Sequence, residues 1–419
     1  MNQFAFVISK KHSNIWFASS ASFESFQNEQ RVDHASSIEA RLADMLDQDK
    51  EVLTTGGLID ADVHPFMSSL EELVPYSDKT LRKRLRIGEF KNSSFGENTF
   101  TSDSFKLPFQ RYDNIGPLHG LRTDAVPPSG RIPGADKEFL VKDLLDRYDT
   151  KFAVLNAGGG VMAAYHDVDL AVEFNRTYND YLYEEWVKYD SRFGMTMMAT
   201  PLDPQATVRE IERIGKKPGV VGINLQNINI PLGKRHFYPI YEIAEAYGLP
   251  IILHPDAETS GEYAPAQAVG PASTYMEWHT TLGLVAQRQI ISLVCEGVFE
   301  RFPKLKVAFI EYGFSWLPSL LWRIDKNWKA LREEVPWLKR LPSEYILQNI
   351  RIGTQPSEEP FHPGDLNEII KMSKAEDILI YCSDYPHWDG DPVDQVFRSF
   401  SPELKEKIFS TNGKKLFGL

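Results

Sequence analysis

Residues 52–419 alternate apolar strand-like runs with amphipathic helical stretches, and that alternation predicts an α/β fold, a (β/α)8 TIM barrel. Two further observations support it. Several of the apolar runs end on a histidine or a carboxylate, as strands do at the end of a barrel where catalytic groups sit. The connection after the first run, about residues 66–137, is long and rich in Gly, Pro, Asn and Arg. Such a segment inside a compact domain is usually functional, and at this exit it is expected to arch over the mouth as a lid.

Taken in order, residues 1–57 read as an N-terminal extension outside the barrel. Ile38, Leu42, Met45 and Leu46 have helical spacing there, so a strap packing on the barrel or on a neighbouring subunit is expected. The barrel proper, residues 58–419, follows. The eight strands are expected at Val52–Asp62, Phe152–Asn156, Gly194–Ala199, Val220–Leu225, Pro250–His254, Lys306–Glu311, Ile350–Thr354 and Ile378–Ser383. Helices are expected near Glu138–Arg147 and over Asp169–Lys188, Gln205–Lys216, Ile240–Tyr247, Thr274–Arg301, Trp316–Glu333 and Pro363–Ser373. No internal repeat or low-complexity tract interrupts the series.

Composition narrows the function. The chain has 419 residues, 42% of them hydrophobic and 12% aromatic, enough for a large core. A net charge of −12 argues against a nucleic-acid surface or an anionic membrane, which leaves a small-molecule substrate as the expected partner. No run of 18 apolar residues suggests a transmembrane helix. The N-terminus, with Lys10 and Lys11 after a short apolar run, does not read as a secretory signal. The two cysteines, Cys295 and Cys382, lie in apolar contexts and read as buried free thiols, pointing to a reducing, cytoplasmic location.

The chemistry-bearing residues lie at the strand ends. In Leu58-Ile59-Asp60-Ala61-Asp62-Val63-His64-Pro65 a carboxylate and an imidazole stand two residues apart, hence on one face of a strand. His254 ends the fifth apolar run, Glu311 the sixth, and Asp384 follows the eighth. Convergence of these hard and borderline donors at one rim predicts a divalent metal site, for Zn²⁺ first and Fe²⁺ or Mn²⁺ as alternatives. His279 and His387 are candidates to complete a second site. The lid contributes Arg111, Arg122 and Arg131, of which Arg122 is the first choice to grip a substrate carboxylate bidentately. Trp388, with Trp316, Phe314 and Tyr312, lies beside proposed site residues and would suit an aromatic substrate body.

These motifs carry a resemblance. Asp60-Ala61-Asp62-Val63-His64-Pro65, Leu253-His254-Pro255, Phe309-Ile310-Glu311-Tyr312-Gly313-Phe314-Ser315-Trp316-Leu317-Pro318, Trp322-Arg323-Ile324-Asp325-Lys326-Asn327-Trp328 and Ser383-Asp384-Tyr385-Pro386-His387-Trp388 resemble the amidohydrolase superfamily. The branch is the one similar to aminocarboxymuconate-semialdehyde decarboxylase. The resemblance implies a distorted barrel with a divalent metal at its mouth, held by Asp62, His64, His254 and Asp384. Asp62 replaces the first histidine of the family's common His-x-His opening. Glu311 stands where the decarboxylases carry a histidine. Strand 4 ends in Leu225-Gln226-Asn227, without the lysine that bridges two metals in other branches.

The mechanism expected first is hydrolysis. A metal-activated water, oriented or deprotonated by Glu311 or Asp384, would attack an amide or ester carbonyl on a small carboxylate-bearing or aromatic substrate. Three alternatives stay open: a non-oxidative decarboxylase, a dinuclear Fe or Mn oxygenase completed by Glu311, His279 and His387, and a non-catalytic partner subunit. A homodimer or higher homo-oligomer is the expected assembly.

Overall fold

The computed structural model describes residues 56–85, 87, 121–156, 167–255, 274–394 and 397–419. The expected N-terminal extension therefore lies outside the described residues except for its last two positions. So does the middle of the expected lid, residues 86 and 88–120.

Eight strands run in chain order: β1 Leu58–Val63, β2 Thr150–Leu155, β3 Phe193–Ala199, β4 Val220–Leu225, β5 Ile251–Leu253, β6 Val307–Phe309, β7 Ile350–Gly353 and β8 Leu379–Ile380. Each pairs in parallel with the next. The ring is drawn together by the segment after β8. Tyr381 O accepts from Ala61 N at 2.9 Å, Asp62 O from Asp384 N at 3.1 Å and Tyr385 O from His64 N at 2.8 Å. The fold is the expected (β/α)8 barrel. The strands β5, β6 and β8 are shorter than the apolar runs, so His254, Glu311 and Asp384 fall in the loops beyond them.

Period-two alternation builds the core. Ile252, Ala308 and Ile380 join Ala61, Val154 and Cys382 in one small apolar cluster, with Leu416 and Phe417 of the last helix added to it. Their strand neighbours Ile251, Leu253, Val307, Phe309 and Leu379 pack outward into the larger cluster shared with the helices. Apolar residues alternating in this way have no solvated face to spare, which is why the strands read as continuous hydrophobic runs.

The helices start and stop on local signals. Asp203 caps Pro204–Ile214 by accepting from Gln205 N and Ala206 N, ahead of a first-turn proline. The single helix expected over Thr274–Arg301 is three: Tyr275–Thr280, Leu282–Cys295 and Val298–Arg301. Gly297, at φ 74°, makes the second break, since left-handed backbone ends a helix at little cost for glycine. Cys382 is buried as expected, whereas Cys295 is half-buried; both are free thiols. Among the described residues no helix is long and apolar enough to cross a membrane.

Candidate metal centre

The C-terminal ends of β1, β5 and β8 bring four side chains to one point. Asp62, His64, His254 and Asp384 are all buried, and one ligand atom from each lies within 4.8 Å of all the others. Asp62 belongs to β1 and His64 follows it. His254 is the first residue past β5. Asp384 lies four past β8, where its own N–H donates to Asp62 O of β1.

The group is held from outside. Asn156, just past β2, donates through Nδ2 to Asp62 Oδ1 at 2.8 Å and accepts from Thr196 Oγ1 at 2.6 Å. Asp60 Oδ1 accepts from Asp62 N at 3.2 Å and Ser383 N at 3.0 Å, tying β1 to the β8 exit. Burial raises the Asp60 carboxyl to about 7 in spite of those bonds. Gln355 Nε2 donates to Asp384 Oδ2 at 2.9 Å, and His387 Nδ1 meets Asp384 Oδ1 at 2.5 Å. Asp384 (φ 55°) and Glu311 (φ 65°) both sit in left-handed backbone. Non-glycine residues are held there at a cost of about 1–3 kcal/mol, and such positions cluster at functional sites.

Electrostatics and spacing both fit a cation. Burial alone would raise Asp62 and lower His64, but the facing charges outweigh it. Asp62 ends below its ordinary range and His64 is raised to about 10. Protons drawn onto imidazoles by buried carboxylates are the charge a metal displaces on binding. Ligand atoms bonded at about 2.1 Å stand about 3.0–3.4 Å apart at octahedral to tetrahedral angles. His64 Nε2 lies 3.2 Å from Asp62 Oδ1 and 3.1 Å from Asp384 Oδ1, and His254 Nε2 lies 3.7 Å from Asp62 Oδ2. Two carboxylates and two imidazoles in that arrangement suit Zn²⁺, Fe²⁺ or Mn²⁺.

A second set adjoins the first. His279, Glu311 and Asp389 also present ligand atoms within 4.8 Å of one another. Glu311 Oε2 is 2.9 Å from His254 Nε2, so the two sets share an edge. Burial first, with Asp384 adding and His254 opposing, raises the Glu311 carboxyl to about 7. His279 and Asp389 line a cavity of about 1000 Å³ whose wall includes Tyr312, Trp316 and Trp388. The Trp388 ring lies 5.9 Å from that of His279.

The other expected residues are placed differently. His387 is not brought into the second set; it sits on Asp384 and its ring is 4.6 Å from that of His64. Burial would lower His387, but the Asp384 charge and hydrogen bond raise it further. Arg122 does not line the large cavity. Its guanidinium forks onto Asp124 at 2.7 and 3.0 Å and lies over the Tyr385 ring. Arg131 pairs with Glu72 at 2.6 Å, and Arg111 lies outside the described residues. Asp389, Gln355 and Asn156 were given no role by the sequence. Asp389 lies in a turn with no periodicity, and the other two read as ordinary strand-end amides.

The sequence from residue 59 to 419 matches the family model described as Amidohydrolase. The chain belongs to the amidohydrolase family. It is an enzyme of that superfamily, and its curated relatives include several decarboxylases. A gamma-resorcylate decarboxylase of a Rhizobium species is 27% identical over 318 residues, 70% of this amidohydrolase and 93% of the relative. One from a Polaromonas species is 26% identical, covering 66% and 86% of the two chains. The 2-amino-3-carboxymuconate-6-semialdehyde decarboxylase of Dictyostelium discoideum is 23% identical, covering 66% and 75%. Among solved structures, 5-carboxyvanillate decarboxylase from Sphingomonas paucimobilis superimposes with a TM-score of 0.60 at 21% identity, over 87% of this chain and all of that one. A dihydroxybenzoic acid decarboxylase from Polaromonas, with bound manganese and the inhibitor 2-nitroresorcinol, gives 0.59 at 19% identity, over 87% and 98%.

Proposed function

We propose that this amidohydrolase is a divalent-metal-dependent, non-oxidative decarboxylase of a small aromatic carboxylic acid. The observation that carries the reading is the buried Asp62–His64–His254–Asp384 group, with the His387–Asp384 pair beside it and an aromatic-walled cavity close by. Its relatives' activities support decarboxylation over the hydrolysis expected first. Manganese in one related structure supports Mn²⁺ beside Zn²⁺.

Asp62, His64, His254 and Asp384 would hold the cation. When bound, it supplies a positive centre that fixes the substrate carboxylate and takes up negative charge as the carbon–carbon bond weakens. The chain's own groups do the rest. Trp388, Trp316 and Tyr312 offer flat apolar surface to an aromatic body. Decarboxylation breaks the bond from ring to carboxylate, releases CO₂, and leaves an electron pair on carbon that one proton must fill. His387, oriented by its Nδ1 contact to Asp384 Oδ1 at 2.5 Å, can hold that proton at the rim and pass it to carbon. Burial of Asp384 keeps bulk water from competing for it.

The test is a product analysis. Metal-loaded protein is incubated with a panel of hydroxybenzoates and with matched esters and amides. The reading expects CO₂ and the decarboxylated phenol from at least one acid, lost on chelation and restored by Mn²⁺ or Zn²⁺. Cleavage of esters or amides, with every acid untouched, would return the assignment to hydrolysis.

A further inference from the structure

The set His279, Glu311 and Asp389 stands outside the four-residue group, and the reaction above does not use it. Three features bear on what it does. His279 Nε2 is 3.0 Å from Asp389 Oδ2 and 3.9 Å from Glu311 Oε1, spacings that a cation with bonds of about 2.1 Å can span at right or obtuse angles. The two Glu311 oxygens point in different directions, Oε2 to His254 of the first group at 2.9 Å and Oε1 to His279 of the second. Gln355 Nε2 donates to one carboxylate of each group, Asp384 Oδ2 at 2.9 Å and Asp389 Oδ2 at 3.1 Å, which locks the groups side by side.

From this geometry we infer that the chain binds a second divalent cation, held by His279, Glu311 and Asp389, with Glu311 bridging it to the first. Glu311 is itself 8% exposed, while His279 and Asp389 line the open cavity. The second cation therefore meets the cavity on one side, where a substrate oxygen or water can complete its shell. One imidazole and two carboxylates form a mixed nitrogen and oxygen set suited to Mn²⁺, Fe²⁺ or Zn²⁺. Bridging by one carboxylate puts the ions at the separation of about 3.5–4 Å found in two-metal sites. Glu311 also sits in left-handed backbone, where a non-glycine residue is held at a cost and which clusters at functional sites. The inference concerns binding alone and stands whether or not the acid is decarboxylated.

The test counts ions. Protein stripped by chelation is reloaded with Mn²⁺, dialysed, and measured for bound manganese and for its electron paramagnetic resonance spectrum. Wild type is expected to hold about two Mn²⁺ per chain with a spin-coupled spectrum, the behaviour of two ions sharing a carboxylate. H279Q and D389N are each expected to hold about one, with an uncoupled six-line signal, which their thermal melts would accompany as folded protein. One ion in wild type, kept in both variants and lost in H64A, removes the second site and leaves the first. Wild type with no bound ion overturns both. Two ions in wild type that persist in both variants place the second ion elsewhere and overturn the assignment to these residues.

Discussion

His254 and His387 look alike in sequence, each a histidine near the end of an apolar run, and the structure gives them different work. His254 is a ligand candidate in the buried group, whereas His387 sits behind Asp384. H254A is therefore expected to lose tightly held metal with the fold intact, because the side chain lies at the rim and not in the core layers; metal content and circular dichroism check it together. H387Q is expected to keep the metal and lose turnover by about 10²–10⁴, the usual weight of a positioned proton donor. Asp391 gives a stability test. Burial first, with Asp389, Asp384 and Glu358 adding, raises its carboxyl to about 8 from 3.8. The folded protein then binds more protons than the unfolded chain between those values, so stability falls as pH rises through that window and levels off above it. D391N removes this term. Urea midpoints from pH 5 to 8 should show wild type losing up to about 1.4 kcal/mol more per pH unit than the variant.

At the scale of elements, the turn from Ser383 to Asp391 controls both ligand sets. It is closed by His387 N to Asp384 O at 2.8 Å, Gly390 N to His387 O at 3.2 Å and Asp391 N to Ser383 O at 3.0 Å. A Cβ on Gly390 would stand 2.8 Å from Ser383 O, so the turn cannot keep its shape around any side chain there. G390A is expected to weaken metal binding by about 10–100-fold, as loss of the groups that orient ligands does, measured by titration against a chromogenic chelator. The same turn explains what was legible in the sequence. Asp62, His64, His254 and Asp384 could be found because each ends or follows a hydrophobic run whose period fixes where it points. Asp389 could not, because a turn closed by backbone bonds has no repeat to read. Arg122 misled for a related reason: an arginine in a loop shows its charge, but not that Asp124 two residues on takes up its fork.

Across the whole molecule, the barrel and its order followed from alternation alone, since the strand residues are nearly all buried and each connection carries a helix among the described residues. The chemistry did not follow. The same four candidate ligands would suit hydrolysis or decarboxylation, and it is the relatives' activities that favour the second. Binding at the rim also couples to folding, because the ligands come from β1, β5 and the β8 exit. A cation at 100 times its dissociation constant should add about 2.7 kcal/mol to stability, read as a higher denaturant midpoint than in chelator. The most direct measurement is a carbon and hydrogen balance. Mn²⁺-loaded protein is given 2,6-dihydroxybenzoate labelled with ¹³C at the carboxyl, and then other hydroxybenzoates so labelled, in D₂O without oxygen. Decarboxylation by this site predicts ¹³CO₂ equal to the acid consumed, with one solvent deuterium on the carbon that carried it. No ¹³CO₂ from any of these acids, or release that requires oxygen, would contradict it.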